Sequence, residues 1–200
     1  MTTSDEEPRY KPSLTDVRFD STGFRYDGES QKGKKRLWHV HETDELGLYL
    51  IELPPDLPRT NTVFKNYKHY FQGFLEGSNG TMIDCAIVTI NGCQSIVSSY
   101  SVPLGALRKT FVGSIHVPFE EFSFVFKCQC EGAENGGLKE AILANRGIKP
   151  EDYLDVQFDQ EFPDHPIARV RRILNRLTSS IIITQEAKSL PRFNLRLEST

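Results

Sequence analysis

Residues 82–102 read MIDCAIVTINGCQSIVSSYSV, two strand-like runs on either side of Asn91-Gly92, and this stretch decides the fold. An Asn-Gly pair between two such runs favours a type I′ turn, because both central residues of that turn need a positive φ. A two-residue turn also fixes the register of the strands that it joins. Counting outward from the turn, the expected facing pairs are Ile90–Cys93, Ile87–Ile96 and Ile83–Tyr100. The sequence therefore predicts a long antiparallel β-hairpin.

Strand patterns continue on both sides of this hairpin. Downstream, residues 109–117 and 121–130 predict two further strands with a turn at Pro118. Four consecutive strands joined by short turns predict an antiparallel meander. Upstream, shorter apolar runs predict strands at 17–26, 36–41 and 46–53, with a charged, Gly-rich loop at 27–35.

A helical period separates the two groups of strands. From residue 63 the aromatic side chains recur at helical spacing, while Lys, Asn, His and Gln occupy the other side. The pattern predicts an amphipathic helix over 63–75. Asn61 or Thr62 can cap its start by accepting hydrogen bonds from the first free backbone amides.

Two more helices are expected after the meander. One follows Asn135-Gly136-Gly137 and is predicted to bury Leu138, Ala141 and Ile142. The other has Pro166 in its first turn, and its apolar stripe is Ile167, Val170, Leu174 and Leu177. The predicted fold class is therefore α+β, an antiparallel sheet packed by an N-terminal amphipathic helix and by C-terminal helices.

The composition suits one compact domain and excludes a membrane-spanning helix. The 200 residues are 38% hydrophobic and 26% charged, and no apolar run approaches the roughly 20 residues of a bilayer span. The formal charge of -3 gives no global bias toward nucleic acid or acidic lipid. We expect the charged residues 1–16 to form a flexible leader and residues 17–200 to form a single α+β domain.

The cysteines and the first residues indicate the cytoplasm. Residues 1–13 lack the apolar run of a secretory signal. The cysteine spacing matches no paired Cys-x-x-Cys zinc pattern, so free thiols in a reducing compartment are expected. All four fall in predicted strands, where a role as small buried hydrophobic side chains explains them without catalysis: Cys85, Cys93, Cys128 and Cys130.

A pair of histidines offers the main catalytic alternative. His39 and His41 share one face of a predicted strand and can supply two imidazoles to a metal ion. Further ligands would have to come from Glu42 or His116. Histidines on strands are more often surface or hydrogen-bonded residues, so a metal-dependent enzyme stays an alternative and we assign no metal ligand.

Other catalytic and cofactor signatures are missing from the sequence. It contains no Gly-x-Ser-x-Gly elbow and no dinucleotide fingerprint. The turn Asn135-Gly136-Gly137 can offer backbone amides to an anion, but Glu131 and Glu134 beside it repel phosphate and a P-loop lysine is missing. Helix capping explains this turn. We therefore predict no catalytic residue and no cofactor.

Oppositely charged segments near the C-terminus carry the candidate contact surface. Arg169, Arg172 and Arg176 recur on the helix face opposite the apolar stripe. The connector before this helix is acidic through Glu151, Asp152, Asp155, Asp159, Glu161 and Asp164. The arginine face can hold phosphate or an acidic partner, although neutralisation by the nearby carboxylates is the simpler interpretation. We predict the three arginines as partner-binding residues.

The order of these elements resembles the PsbP-like fold, which the photosystem PsbP subunit, Ran-binding Mog proteins and DcrB-like proteins share. The resemblance covers about residues 17–177. It is carried by the helix at 63–75, the hairpin about Asn91-Gly92, and the strands containing Phe111-Val112-Gly113 and residues 122–128. Segments 118–124 (PFEEFSF) and 162–166 (FPDHP) also look like those of bacterial proteins without an assigned role, which implies a bacterial branch.

The resemblance implies a binding role. Members of this fold are mostly non-enzymatic binding modules, and some DcrB-like relatives are cytosolic adaptors that chaperone secretion effectors. No functional residue carries over, because these groups share no common site. We therefore predict a non-enzymatic, cytoplasmic protein-binding or adaptor module, with a chaperone-like role, that binds another protein rather than membrane or nucleic acid. The alternatives are the metal-dependent enzyme, and an anion or nucleic-acid binder that uses the basic C-terminal helix.

Overall fold

An antiparallel sheet is the central element of the structure, a computed structural model that describes residues 10–30, 32–41, 43–57, 67–105, 108–132 and 137–195. Its strands are β2 (Arg25–Ser30), β3 (Lys35–His39), β4 (Glu45–Ile51), β5 (Thr81–Ile90), β6 (Cys93–Leu104), β7 (Arg108–Pro118) and β8 (Ser123–Glu131). A separate pair joins β1 (Val17–Arg18) to β9 (Ile182–Ile183). The helices are α1 (Tyr67–Leu75), α2 (Leu138–Asn145), α3 (Pro166–Ser180) and α4 (Gln185–Lys188).

The strand order places two meanders side by side. The order is β2-β3-β4-β8-β7-β6-β5, and each neighbouring pair is antiparallel. The predicted meander β5–β8 is confirmed, and β4 joins it by pairing along its whole length with β8. Residues 27–30, expected in a loop, belong instead to the edge strand β2. An edge strand that is exposed on both faces needs no apolar alternation, so the sequence gives no strand signal there.

The β5–β6 hairpin keeps the predicted register near its turn and shifts at its far end. Near the turn the facing pairs are Ile90–Cys93 and Ile87–Ile96, as expected. Both turn residues have a positive φ, 48° and 82°. A β-bulge after Met82 then places Met82, rather than Ile83, opposite Tyr100. The bulge adds one residue to β5, which a simple count from the turn cannot anticipate.

Helix α3 packs closely on one face of the sheet. Gly113 in β7 permits this approach, since a Cβ there would lie 2.8 Å from Val170 Cγ1 and 2.9 Å from Leu174 Cδ1. The aromatic side chains that fill this face come from β8 and the turn before it: Phe119, Phe122, Phe124 and Phe126. Cores are close-packed, so α3 and the side chains on its two flanks are held in one position against the sheet.

Helix α1 packs on the other face, over β5 and β6. Its Tyr67 is buried in a cluster with Ile96 of β6. The side-chain amide of Gln72 donates to Gly80 O at 3.1 Å and accepts from Met82 N at 2.8 Å. It thereby satisfies two backbone groups at the outer edge of the sheet. Residues 61–66, with the predicted caps and start of this helix, lie outside the described residues.

The segment before β1 is packed, which corrects the expectation of a flexible leader for residues 10–16. Leu14 is 1% exposed and belongs to the main core. Asp16 accepts hydrogen bonds from Ser13 N at 2.7 Å and from Thr184 Oγ1 at 2.9 Å, which ties the segment to the turn before α4. A single leucine among charged residues has no periodic signal, so sequence reasoning missed it. That residues 17–200 form a single domain stays a prediction.

Helix α2 buries a different face from the predicted one. Leu138 is 67% exposed and Ala141 is also exposed, whereas Lys139 is 3% exposed and Leu143 is fully buried. The lysine Nζ lies 5.8 Å from the centroid of the Phe162 ring. A lysine stem covers apolar surface, and its ammonium group is attracted to an aromatic face. Three small or aliphatic residues were too few to fix the orientation of so short a helix.

Candidate functional site

A cavity beside α3 gathers the three arginines that the sequence singled out. Its volume is about 270 Å³, and we call it the arginine pocket. The loop before β2, the turn between β3 and β4, and one flank of α3 form its walls. The lining residues are Thr22, Gly23, Phe24, Val40, His41, Asp44, Arg169, Arg172, Ile173 and Arg176. Helical spacing placed the arginines on one face, but only the fold supplies the other two walls.

Arg169 joins three segments in the interior. Its Nη2 donates to Asp44 Oδ1 at 2.9 Å and to Glu131 O at 2.7 Å, and its Nη1 donates to Asp164 O at 3.0 Å. The Asp44 side chain is 2% exposed and that of Arg169 is 16% exposed, so water and salt screen this ion pair little. Removing one partner would leave a buried charge without its counter-ion. The first role of Arg169 is therefore structural.

Arg176 fastens the loop before β2 to α3. Its Nε donates to Asp20 Oδ2 at 3.0 Å and its Nη2 donates to Thr22 O at 2.6 Å. Its guanidinium carbon lies 4.5 Å from the centroid of the Phe24 ring, a cation–π contact. The hydrogen bond from Arg176 is the main reason that the pKa of Asp20 lies well below its ordinary value of 3.8. This wall of the pocket is thus held by α3.

Arg172 lies between these two residues in sequence and is bound least. Within the described chain its guanidinium makes one hydrogen bond, from Nη1 to Pro163 O at 3.4 Å, and pairs with no carboxylate. Its side chain is exposed, as is that of His41 in the same pocket. A guanidinium carries five N–H donors, so most donors of Arg172 are left for a ligand.

The other flank of α3 carries an arginine that sequence reasoning missed. Arg171 donates to Asp159 Oδ1 at 3.0 Å, to Leu154 O at 2.8 Å and to Asp84 Oδ2 in β5 at 2.9 Å. Its side chain is 12% exposed. Arg171 therefore closes the acidic connector onto the sheet. The connector contains two 3-10 turns, Pro150–Asp152 and Val156–Phe158.

Carboxylates neutralise two of the three predicted arginines, but these carboxylates do not belong to the connector. The connector residue Asp159 pairs with Arg171, which lies outside the predicted set. Asp44 and Asp20, the partners of Arg169 and Arg176, lie 125 and 156 residues away in the sequence. The fold brings their turns against α3, whereas the sequence pattern indicates only carboxylates that lie near the arginines in the chain.

The histidines of the metal hypothesis have separate surroundings. Nε2 of His39 lies 3.5 Å from Asp27 Oδ1, while His41 lines the arginine pocket. His116 is in β7, three strands from β3, or about 14 Å at the usual strand spacing. Glu42 lies outside the described residues. Within the ranges that the structure describes, no three His, Cys, Asp or Glu side chains are grouped to hold a metal ion.

All four cysteines are free thiols, and they lie in strands. Burial raises the pKa of Cys85 to about 11 and that of Cys128 to about 12. It also raises the pKa values of Cys93 and Cys130. A thiol of raised pKa is protonated at neutral pH and is a poor nucleophile. Their environment is therefore that of packing residues.

Asn135 and Gly136 lie outside the described residues, and Gly137 is the N-cap of α2. Among the helices that the structure describes, none is both long enough and apolar enough to cross a membrane.

Comparison with known proteins identifies the fold. No family model matches the sequence, and a search of curated proteins returns no match. The crystal structure of the Ran-binding protein Mog1p from Saccharomyces cerevisiae aligns with a TM-score of 0.51 at 9% identity, covering 86% of this chain and 93% of that one. The solution structure of cyanobacterial PsbP (CyanoP) from Synechocystis aligns with a TM-score of 0.47 at 12% identity, covering 92% and 98%. The likeness to Mog1p confirms the predicted α+β fold, which this chain shares with Mog1p.

Proposed function

From a fold shared with the Ran-binding protein Mog1p, we propose that this chain is a non-enzymatic protein-binding module of adaptor or chaperone-like role in the cytoplasm. We further propose that it contacts its partner through the arginine pocket, with Arg172 as the principal contact and with Arg169 and Arg176 holding the walls. The fold supports a binding role. The free thiols support a reducing compartment.

The observation that carries this proposal is the contrast among the three arginines. Arg169 and Arg176 each make several hydrogen bonds and an ion pair, whereas Arg172 makes one long hydrogen bond within the described chain. An arginine with unused donors at the opening of a preformed cavity is suited to recognition, because little of the site has to rearrange when a partner binds. Arginine is also enriched among the residues that dominate binding energies.

Charge reversal at Arg172 tests the proposal. Tagged wild-type chain, Arg172→Glu and the control Lys127→Glu are used to capture proteins from native cytosol, and the captured protein is then purified for affinity measurement. Lys127 is a matched control because it is exposed on β8 between Phe126 and Cys128, which face α3, and so it lies on the opposite face of the sheet. We expect Arg172→Glu to weaken binding about tenfold or more and Lys127→Glu to leave it unchanged.

Equal binding by wild type and Arg172→Glu would overturn the contact assignment. The free energy of unfolding of Arg172→Glu should lie within about 0.5 kcal/mol of the wild-type value, because the side chain is exposed and makes one long hydrogen bond. A loss of binding in this variant is therefore not caused by a loss of folding. The nucleic-acid alternative has its own signature. In that case the chain would bind single-stranded RNA with a steep dependence on salt, Arg172→Glu would abolish this binding, and no protein partner would be captured. Together these results would favour a nucleic-acid binder over an adaptor.

A further inference from the structure

The arginine pocket combines a cationic rim with an apolar wall. Arg172 and His41 are its exposed cationic and titratable side chains. Phe24, Val40 and Ile173 supply the apolar surface, and Ile173 is 5% exposed. A ligand that fits both parts needs a negative group and an apolar group close together. The lining therefore selects an amphiphilic ligand over a simple ion.

The size of the pocket narrows the class of ligand. Its volume of about 270 Å³ lies just below the usual range of roughly 300–1,000 Å³ for small-molecule and cofactor sites. One or two amino-acid side chains fit such a space better than a nucleotide or a cofactor does.

The charge of the pocket narrows the class of ligand further. Two of its three arginines are paired with Asp44 and Asp20, so the described ion pairs leave the single positive charge of Arg172. One charge matches one carboxylate. Arg172 binds Pro163 O through Nη1, and its Nε and Nη2 make no hydrogen bond within the described chain. That edge of a guanidinium has the geometry to bind both oxygens of a carboxylate at once.

We propose that the arginine pocket takes an acidic segment of the partner protein. The carboxylate of a Glu or Asp side chain binds the guanidinium of Arg172, and a neighbouring apolar side chain packs on Phe24, Val40 and Ile173. This inference rests on the proposed function and names the feature of the partner that the pocket recognises.

The test uses the full-length chain and two capped hexapeptides, Gly-Ser-Leu-Glu-Ser-Gly and its counterpart with Gln in place of Glu. Binding is followed by NMR chemical-shift titration, which reports weak affinities and the place of binding. We expect the Glu peptide to shift the resonances of the pocket residues 22–24, 40–41 and 172–173. The Gln peptide should bind about tenfold more weakly, because a charge-assisted hydrogen-bond pair is lost.

Two variants separate carboxylate recognition from general attraction to anions. Arg172→Lys keeps the positive charge but cannot offer two parallel N–H donors, so the Glu peptide should bind several-fold more weakly. Arg172→Glu should abolish binding, and Lys127→Glu should leave it unchanged. Inorganic phosphate at matched ionic strength should not displace the peptide.

Three results would overturn the inference: equal binding of the Glu and Gln peptides, full retention by Arg172→Lys, or displacement of the peptide by phosphate. These outcomes differ from failure of the proposed function. If the captured natural partner still requires Arg172 while the peptides are not distinguished, the module binds a protein by other chemistry. If neither depends on Arg172, both proposals fail together.

Discussion

The two flanks of α3 carry arginines and use them differently. On the flank toward β5, Arg171 is 12% exposed and bound to two aspartates and a backbone carbonyl. On the flank toward β3 and β4, Arg169 and Arg176 are bound in the same manner, but Arg172 is exposed and has one weak hydrogen bond within the described chain. Arginines on one helix therefore differ in how many hydrogen-bond donors they have left, because the partners of each guanidinium come from a different part of the fold.

The largest effect on stability is expected at the buried pair Arg169–Asp44. Arg169→Met should lower the free energy of unfolding by about 3–5 kcal/mol, because Asp44 remains as a buried carboxylate without its counter-ion. Urea unfolding at neutral pH measures the loss. The double variant Arg169→Met, Asp44→Leu should recover most of it, since it removes both charges. A loss of less than about 1 kcal/mol in Arg169→Met would show that the pair is not essential.

A smaller effect is expected on the other flank. Arg171→Met should cost about 2 kcal/mol, because it removes charge-assisted hydrogen bonds that join the connector to the sheet. A double-mutant cycle with Asp159→Asn should show coupling, since the two side chains are in direct contact. Arg108→Met, at an exposed position of β7, is the control and should change stability by no more than about 0.5 kcal/mol. If the losses in the free energy of unfolding at Arg171 and Asp159 were additive, the two side chains would not stabilise the fold through their direct contact.

The smallest effect is expected at Arg176 and Asp20, and it depends on pH. The hydrogen bond from Arg176 lowers the pKa of Asp20 below 3.8 in the folded chain, so its stabilising contribution is present above about pH 4. It is lost as the pH falls further, through the folded pKa. NMR titration of the Asp20 carboxyl group should show a low midpoint, and Arg176→Gln should return it toward 3.8. An unchanged midpoint in the variant would mean that Arg176 does not hold this loop.

Local patterns predicted much of the sheet. The Asn91-Gly92 turn predicted the hairpin, because only these two neighbouring residues have to adopt the positive φ values that the turn requires. The register failed only beyond the bulge after Met82, and the edge strand β2 was missed because it is exposed on both faces. A strand that packs on one face only shows alternating apolar and polar residues, so its sequence predicts it. A strand that is exposed on both faces shows no such alternation.

The candidate site was predicted in part. Helical spacing identified Arg169, Arg172 and Arg176 on one face, and the structure places all three at one pocket. Sequence reasoning could not rank them or find Arg171, because their partners come from distant turns of the chain. The bacterial branch that the resemblance implies stays a prediction.

The sequence by itself determined the α+β class, the central hairpin and the face of α3 on which three arginines lie, because these depend on periods and turns within about 20 residues. Only the tertiary structure decided which arginine is left with unused donors. That choice depends on the packing of α3 against Gly113, which fixes where each flank meets the rest of the chain. Ion pairs between residues more than 100 positions apart in the sequence form only once that packing exists.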